Sequence, residues 1–229
     1  MQITISTGCR SLDKRLRGGL KGRKLVLVYG EAETGKTTLV IQSAVNCARA
    51  GFKTIFVDAD NTFFSRRMRQ LANDDFEALA PQIILMKPDS FEQQAQAINS
   101  LDDYVSSRVK LVVIDTITSR YREELGKGRE AFKLNRELNR QLGYLAQIVN
   151  TKKVACIVVS QVRSVLLGDG ASIEPVAVRV LKFWADTVIS MRPTPKTEVV
   201  RLTVSEKGDK ERASKPILLK IEEMGLREI

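Results

Sequence analysis

The residues whose types and spacing best suggest chemistry form a glycine-containing loop near the amino terminus. Residues 30–38 read Gly-Glu-Ala-Glu-Thr-Gly-Lys-Thr-Thr, which fits the spacing G-x-x-x-x-G-K-[ST]. An apolar, β-branched run at residues 25–29 precedes the loop, and a helical pattern follows it. Glycines let successive backbone N–H groups turn towards an anion, and the following helix presents its positive end there. The pattern therefore predicts a binding loop for nucleotide phosphates.

Three side chains of this loop have distinct predicted roles. Lys36 is placed to neutralise the β and γ phosphates, and the Thr37 hydroxyl to bind the Mg²⁺ that bridges them. Thr38 is expected only to continue the helix. A purely structural glycine-rich turn is the alternative. The predicted phosphate-binding set is the whole loop: Gly30, Glu31, Ala32, Glu33, Thr34, Gly35, Lys36, Thr37 and Thr38.

Two further buried strand patterns end on acids. Four apolar residues at 111–114 close on Asp115, the form of a Walker B strand, which delivers a carboxylate beside the Mg²⁺ shell. Residues 54–58 end on Asp58, with Asp60 just beyond. Ligands of open parallel sheets bind at the carboxyl ends of the strands. We therefore predict that Asp115 joins Thr37 at a metal site, with a structural role for Asp115 as the alternative.

The composition narrows the class of protein. The 229 residues have a formal net charge of +10, which favours a polyanionic partner, although solubility could explain part of the excess. There is no histidine, so imidazole catalysis and histidine-ligated metals are excluded. Cys9, Cys47 and Cys156 lack metal-like spacing and are predicted to be reduced and structural. No apolar run spans a membrane and no signal-peptide pattern occurs, so we expect a soluble, cytoplasmic protein.

Strand patterns alternate with helical patterns along most of the chain. This alternation predicts an α/β fold with a mostly parallel central sheet flanked by helices. The carboxyl-terminal strands, joined by turn-rich segments, are expected to extend the sheet in an antiparallel manner. The predicted strands are 25–29, 54–58, 83–86, 111–115, 155–160, 187–191, 198–205 and 216–221, and the predicted helices are 11–17, 36–50, 65–73, 91–106, 130–150 and 176–184.

Several polar segments lie between these elements. Residues 14–24 include six basic residues that could contact nucleic acid, although such a run is more often a solvated face. Residues 116–129 are predicted to form a polar and basic surface loop, and residues 162–175 a mobile loop. Gln161 follows a buried strand, where its amide could reach a γ-phosphate or the attacking water. An ordinary hydrogen-bonding role for Gln161 is the alternative.

Beyond these signals, the chain resembles the ATPase core of the RecA/RadA recombinase family, in particular its short archaeal RadB-type and RadA-paralogue members. The resemblance covers nearly the whole length and includes family-specific motifs. In addition to the loop at 30–38, it rests on Ser6-Thr7-Gly8 with Ser11-Leu12-Asp13, residues 56–63, residues 113–118 with 121–124, Ser160-Gln161-Val162, and residues 221–226.

The resemblance implies a P-loop NTPase with a RecA-like core, in which residues 1–229 form a single ATPase domain. It implies ATP and Mg²⁺ as ligands, DNA as partner, single-stranded above all, and contact with a RadA-type recombinase or another repair protein. Residues 116–129 match the family's first DNA-binding loop and residues 162–175 the second. The implied DNA contacts are Arg120, Arg122, Lys127, Arg129 and Arg163, and the implied catalytic residues are Asp60, Lys36 and Gln161 as γ-phosphate sensor.

Three departures from the family pattern affect the expected activity. The glutamate that polarises the attacking water is matched by Asp60, which is one methylene shorter, so slow hydrolysis is expected. Alternatively, Asp60 only fastens its loop through Asn61 and Thr62. The second loop holds Arg163 as its one cation, opposed by Asp169. The family's N-terminal helical DNA-binding domain and polymerising linker have no counterpart, so a monomer or small oligomer is expected.

Three hypotheses for the function compete. The leading one is an ATP-binding, weakly hydrolysing recombinase paralogue that binds DNA and assists recombinational repair. Another P-loop enzyme, a GTPase or small-molecule kinase, is the second, although no N-K-x-D sequence for guanine recognition occurs. The third is a KaiC-like or regulatory nucleotide-binding module for which DNA is irrelevant.

Overall fold

A short hairpin and a helix precede the central sheet. The structure, a computed structural model, describes residues 3–61, 65–167, 170–175, 177–207 and 215–229. Strand β1 (Thr4–Ile5) pairs antiparallel with β2 (Leu20–Lys21), and α1 (Arg10–Arg15) lies between them in sequence. Asp13 fastens this segment, since its Oδ1 accepts hydrogen bonds from the backbone nitrogen and the hydroxyl of Thr7 at 2.8 and 2.7 Å.

The central sheet has nine strands. Six adjacent strands are parallel, and three antiparallel strands continue the sheet from one side of them, as the predicted fold class requires. The parallel strands are, in spatial order, β10 (Thr187–Pro193), β3 (Lys24–Gly30), β7 (Ala155–Ser160), β6 (Val109–Asp115), β4 (Lys53–Asp58) and β5 (Ile83–Met86). The antiparallel strands are β11 (Val199–Glu206), β12 (Ile217–Glu222) and β13 (Gly225–Glu228).

One detail of the predicted pairing is wrong. The sequence predicts that residues 187–191 extend the sheet in an antiparallel manner. Strand β10 instead pairs parallel with β3, from Thr187 opposite Val26 to Met191 opposite Gly30. The chain enters β10 from a helix rather than from a hairpin, which is how parallel strands are joined. The antiparallel extension therefore begins only at β11.

Helices cover both faces of the sheet. After α1, the helices are α2 (Lys36–Arg49), α3 (Ser65–Ala72), α4 (Phe76–Leu79), α5 (Phe91–Asn99), α6 (Leu101–Tyr104), α7 (Ser119–Gly126), α8 (Ala131–Lys152) and α9 (Val178–Trp184). One face of the sheet is covered by α1, α2 and α3, and the opposite face by α5, α7, α8 and α9. No helix of the described residues is long and apolar enough to cross a membrane.

The core lies in two layers, one on each side of the sheet. Alternate residues of a strand point to opposite faces. In β3, Val26 and Val28 join the first layer, whereas Leu25 and Leu27 join the second. The three cysteines are free and buried, a setting consistent with the predicted structural role.

Two predicted loops have regular structure. Residues 116–129 are predicted as a surface loop, but most of them form α7, where Tyr121 is buried and stacks edge-on against Phe91 at 6.0 Å between ring centroids. The helix is hard to recognise in the sequence because only one narrow face of it is buried. Residues 162–175 are predicted as a mobile loop, but they include an antiparallel hairpin of β8 (Val162–Leu167) and β9 (Gly170–Pro175).

Candidate nucleotide-binding site

The phosphate-binding loop connects the end of β3 to the start of α2. At Gly30 a Cβ would lie 2.2 Å from the carbonyl oxygen of Met191, so only glycine fits. Gly35 has a φ of +84° and precedes the first helical residue, Lys36. The Thr34 hydroxyl donates to the Glu31 carbonyl at 2.8 Å, which closes the turn. The loop therefore leads into the positive end of a 14-residue helix, where an anion is stabilised.

Lys36 lies within electrostatic reach of Asp115, which ends β6, of Asp60, which follows β4, and of Glu31 in the loop. Its half-buried amine donates a hydrogen bond to the Glu31 carbonyl. Burial lowers the pKa of Lys36, while the charges of Asp115, Asp60 and Glu31 oppose that change. The lysine is thus held beside three acids without being fully solvated, which prepares it to contact phosphate.

Asp115 and Thr37 meet at the carboxyl edge of the sheet. Burial raises the pKa of Asp115 to about 7; the Thr37 hydroxyl, which hydrogen-bonds to it, and Lys36 oppose the change, whereas Asp60 and Asp58 reinforce it. Within the described chain, Oδ2 of Asp115 is buried and has no hydrogen-bond partner. An oxygen left without a donor in a buried position is costly unless a cation occupies the space beside it.

The donor set suits Mg²⁺ more than a transition metal. Among the described residues, no cluster of three or more His, Cys, Asp or Glu side chains is arranged as a metal site built from protein ligands alone. Magnesium prefers oxygen ligands and is commonly bound through one or two carboxylates together with substrate phosphates and water. Thr37 and Asp115 supply protein oxygens of this kind.

Asp60 also reaches this site, directly after β4. Its Oδ2 accepts a hydrogen bond from the Thr116 hydroxyl, one residue beyond Asp115. The alternative role, in which Asp60 fastens its loop through Asn61 and Thr62, stays a prediction because Thr62 lies outside the described residues. Asp60 and Lys36 are close enough to interact electrostatically.

Gln161 connects the carboxyl edge to α7. It follows β7, its Oε1 accepts a hydrogen bond from Arg122 of α7, and its backbone nitrogen donates to the Thr118 hydroxyl at 3.2 Å. The buried hydroxyls of Thr118 and Ser160 are 3.2 Å apart. The sequence motifs include Thr116, Thr118 and Ser160 but assign them no role, although their positions at or just after strand ends are a usable signal.

The cations expected to contact DNA are brought together on and after α7, but each described one has a partner. Arg120 pairs with Glu123 at 2.9 Å, and Arg122 donates to Gln161. Lys127 and Arg129 both pair with Glu124, at 3.0 and 2.8 Å. The side chain of Arg163 lies outside the described residues.

The carboxyl-terminal strands pack against the loop, a relationship that the sequence interpretation missed. A Cβ at Gly35 would lie 3.2 Å from Leu226 and 3.3 Å from Ile221. Arg67 of α3 donates to the carbonyls of Glu222 and Glu223 at 2.8 and 2.7 Å. A depression of about 740 Å³ beside the loop is lined by Thr38, Arg67, Gln70, Glu198 and residues 220–224.

This fold and site define a P-loop NTPase with a RecA-like core. The sequence model of the family described as Rad51 matches residues 1–209. Similar curated proteins include "DNA repair and recombination protein RadB" of Methanococcus maripaludis, 30% identical over 216 residues that cover 94% of this chain and 96% of that protein. The protein of the same name from Methanococcoides burtonii is 29% identical over 190 residues, 83% of each chain.

A solved structure agrees with these sequence relatives. The "Crystal structure of the RadB recombinase" superposes with a TM-score of 0.82 and 28% identity, covering 99% of this chain and 100% of that one. The chain therefore belongs to the Rad51 family, and the predicted resemblance to its RadB-type members is confirmed.

Proposed function

We propose that this protein is an ATP-binding, RadB-type recombinase paralogue that takes part in DNA repair and recombination. The observation that carries the nucleotide part is the buried Oδ2 of Asp115, which has no hydrogen-bond partner among the described residues and lies beside Thr37 and Lys36. The family and the names of the relatives support the DNA part.

The residues of the loop divide the work of binding ATP and Mg²⁺. Backbone N–H groups of residues 30–38 and the amino terminus of α2 bind the phosphates. Lys36 leaves the Glu31 carbonyl to contact the β and γ phosphates. Thr37 and Asp115 hold the metal, which when bound neutralises phosphate charge. A cation at this place fits the surroundings of Lys36, because the three acids that act on it carry more negative charge than one lysine can offset.

Asp60 is the proposed base that activates the attacking water, and its short side chain is expected to make ATP hydrolysis slow. Its carboxylate is one methylene shorter than glutamate and already accepts a hydrogen bond from Thr116. A displacement of about 1 Å from the attacking water can lower a rate roughly 10²-fold. Gln161 is the proposed γ-phosphate sensor, and its bond to Arg122 offers a physical connection from nucleotide to α7.

DNA contact is proposed for α7, its flanking residues and the hairpin at 162–175. The candidate cations are Arg120, Arg122, Lys127, Arg129 and Arg163, with single-stranded DNA as the preferred form. We further propose that residues 1–229 act as one ATPase domain and form a monomer or small oligomer when alone. A RadA-type recombinase or another repair protein is the proposed partner.

One observation favours a regulatory nucleotide-binding module as a second candidate. Every described cation of the set around α7 is engaged by an acid or by Gln161, which weakens its attraction for phosphate. In that case ATP would act as a conformational ligand and DNA would be irrelevant. Titration with single-stranded DNA at two salt concentrations separates the two functions.

The nucleotide assignment is tested by Lys36→Ala, compared with Lys196→Ala at an exposed lysine. Isothermal titration with Mg²⁺ and ATP should show that Lys36→Ala loses tight binding, because it removes the cation facing the β and γ phosphates. Lys196→Ala should bind like the wild type. A folded Lys36→Ala protein with unchanged ATP affinity and turnover would contradict the assignment, and GTP binding as tight as ATP binding would favour another P-loop enzyme.

A further inference from the structure

A row of basic residues lies where four adjacent parallel strands begin. Strand β3 starts at Lys24, directly after Arg23, and β4 starts at Lys53. Strand β6 follows Arg108, and β7 follows the end of α8 at Lys152 and Lys153. We call these six residues the edge cluster: Arg23, Lys24, Lys53, Arg108, Lys152 and Lys153.

Strand pairing makes this row continuous. Lys24 is opposite Ala155 of β7, and Ala155 is opposite Leu111 of β6. At the same edge, the backbone nitrogen of Arg23 donates to the Val154 carbonyl at 2.9 Å, and that of Lys53 donates to the Arg108 carbonyl at 2.9 Å. Adjacent strands are about 4.8 Å apart, so the row from β3 to β4 extends over roughly 15 Å.

The edge cluster is accessible and only partly neutralised. The side chains of Arg23, Lys24, Arg108 and Lys153 are exposed. Lys24 pairs with Asp186 at 3.1 Å and Lys152 with Asp102 at 2.9 Å. Across the described chain, the other four members have no ion-pair partner. Exposed ion pairs contribute little, so a polyanion can compete for the two that are paired.

The two ends of the parallel strands differ in the charged residues that they carry. The carboxyl ends bring Asp58, Asp60 and Asp115 together, whereas the amino ends carry the edge cluster. Strand β3 is seven residues long, so the two ends are about 20 Å apart at roughly 3.3 Å per residue. Within the described residues, four of the six edge-cluster cations lack an ion-pair partner, whereas each described cation on or just after α7 is engaged.

An exposed aromatic residue lies beside the edge cluster in the chain. Tyr104 ends α6 and is 49% exposed. Tyr104 lies two residues after Asp102, the acid that pairs with Lys152, and four residues before Arg108. Cations along a backbone together with an aromatic ring on which a base can stack are the usual elements of a surface for single-stranded nucleic acid.

We propose that the edge cluster and Tyr104 form a binding surface for single-stranded DNA. The row fits this partner because a single strand carries one phosphate per nucleotide, and cations spread over roughly 15 Å can contact successive phosphates along its backbone. The surface lies at the end of the sheet opposite the nucleotide loop and does not include α7 or residues 162–175. Binding there requires no nucleotide, which takes the inference beyond the proposed function.

The first test removes three exposed charges with Arg23→Gln, Arg108→Gln and Lys153→Gln in one protein. Fluorescence anisotropy with labelled oligo(dT), without nucleotide, gives the affinity at several salt concentrations. Each phosphate contact to a single strand contributes about 0.7 to the slope of log K against log salt. The triple variant should therefore lose about 2 from the magnitude of this slope and bind at least tenfold more weakly at physiological salt.

The matched control removes the same charge elsewhere, with Arg192→Gln, Lys196→Gln and Arg201→Gln at exposed positions of β10, β11 and their connection. Its affinity should stay within about twofold of the wild type. Equal affinity and slope for the edge-cluster variant and this control overturn the proposal. Binding of ATP by both variants should be unchanged, so a failure here is separate from a failure of the nucleotide assignment.

The second test concerns the partner and the aromatic ring. Tyr104→Ala should weaken oligo(dT) binding at least about fivefold, and Tyr104→Phe should retain it, because stacking needs the ring and not the hydroxyl. Polyglutamate of matched charge should compete poorly. If polyglutamate displaces oligo(dT) equally well, or if Tyr104→Ala binds like the wild type, the surface recognises acidic polymers in general and the assignment to single-stranded DNA is overturned.

Discussion

The side chain of Gln42 binds both main-chain polar groups of Leu226. Its Oε1 accepts a hydrogen bond from the Leu226 nitrogen at 2.8 Å, and its Nε2 donates to the Leu226 carbonyl at 3.4 Å. Gln42 lies on α2, the helix that begins in the phosphate loop, and Leu226 lies on β13, which ends the sheet. The Leu226 side chain also packs beside Gly35. The last strand is therefore attached to the nucleotide site.

Replacing Gln42 with leucine should destabilise the protein by about 1 to 3 kcal/mol, because the change leaves the buried backbone N–H of Leu226 without the side chain that it donates to. The Leu226 carbonyl retains the Cys9 thiol as a donor at 3.4 Å, which limits the loss. Equilibrium unfolding in urea measures the effect. Gln147→Leu, at an exposed position of α8, is the control and should change stability by no more than about 0.5 kcal/mol. Equal stability of the two variants would show that the Gln42 contact is unimportant.

Lengthening Asp60 should accelerate hydrolysis. Asp60→Glu restores the missing methylene and is expected to raise kcat with little change in ATP affinity, because Lys36, Thr37 and Asp115 still hold the nucleotide and metal. Asp60→Asn should remove most residual turnover. Single-turnover hydrolysis measures both, with Asp89→Glu at an exposed acid as control. If neither substitution at Asp60 alters the rate, another group activates the water.

Neutralising Glu124 should strengthen DNA binding at α7. This carboxylate pairs with both Lys127 and Arg129, so Glu124→Gln frees two cations for phosphate contact. Oligo(dT) affinity should rise severalfold at low salt, and the salt slope should steepen by about 0.7 to 1.4. The control is Glu137→Gln, which removes the same charge from a pair with Arg140 on α8. Indistinguishable binding by the two variants would argue against DNA contact at α7.

The cysteines should be unreactive in the folded protein. Burial raises the pKa of Cys9 and Cys156 to about 12 and that of Cys47 to about 11. A raised pKa keeps the thiol protonated, and the thiolate is the reactive form, so iodoacetamide at pH 8 should modify none of the three. In urea all three should react. Mass spectrometry counts the modified residues, and rapid modification of any one at pH 8 without denaturant would contradict its burial.

The local sequence pattern determined the strands of the sheet and the chemistry of the loop. Residues 83–86 and 155–160 are predicted with the same bounds that the structure shows for β5 and β7. Strand β7 is buried along its whole length, so it reads as a continuous apolar run, whereas β5 is an edge strand recognised by its four consecutive apolar residues. The phosphate-binding loop at 30–38 is equally recognisable from the sequence, because phosphate binding requires glycine, lysine and threonine at fixed spacing.

Only the tertiary structure decided how separate segments meet. The pattern of residues 116–129 did not reveal α7, because its buried face depends on Phe91 and on contacts with α8. The direction of β10 likewise depends on a distant segment, and so does the burial of Asp115, whose Oδ2 has no hydrogen-bond partner in the part of the chain that the structure describes. The edge cluster is the clearest case. Its members come from four distant parts of the chain and become neighbours only because strand order, which sequence spacing does not encode, places β3, β7, β6 and β4 side by side.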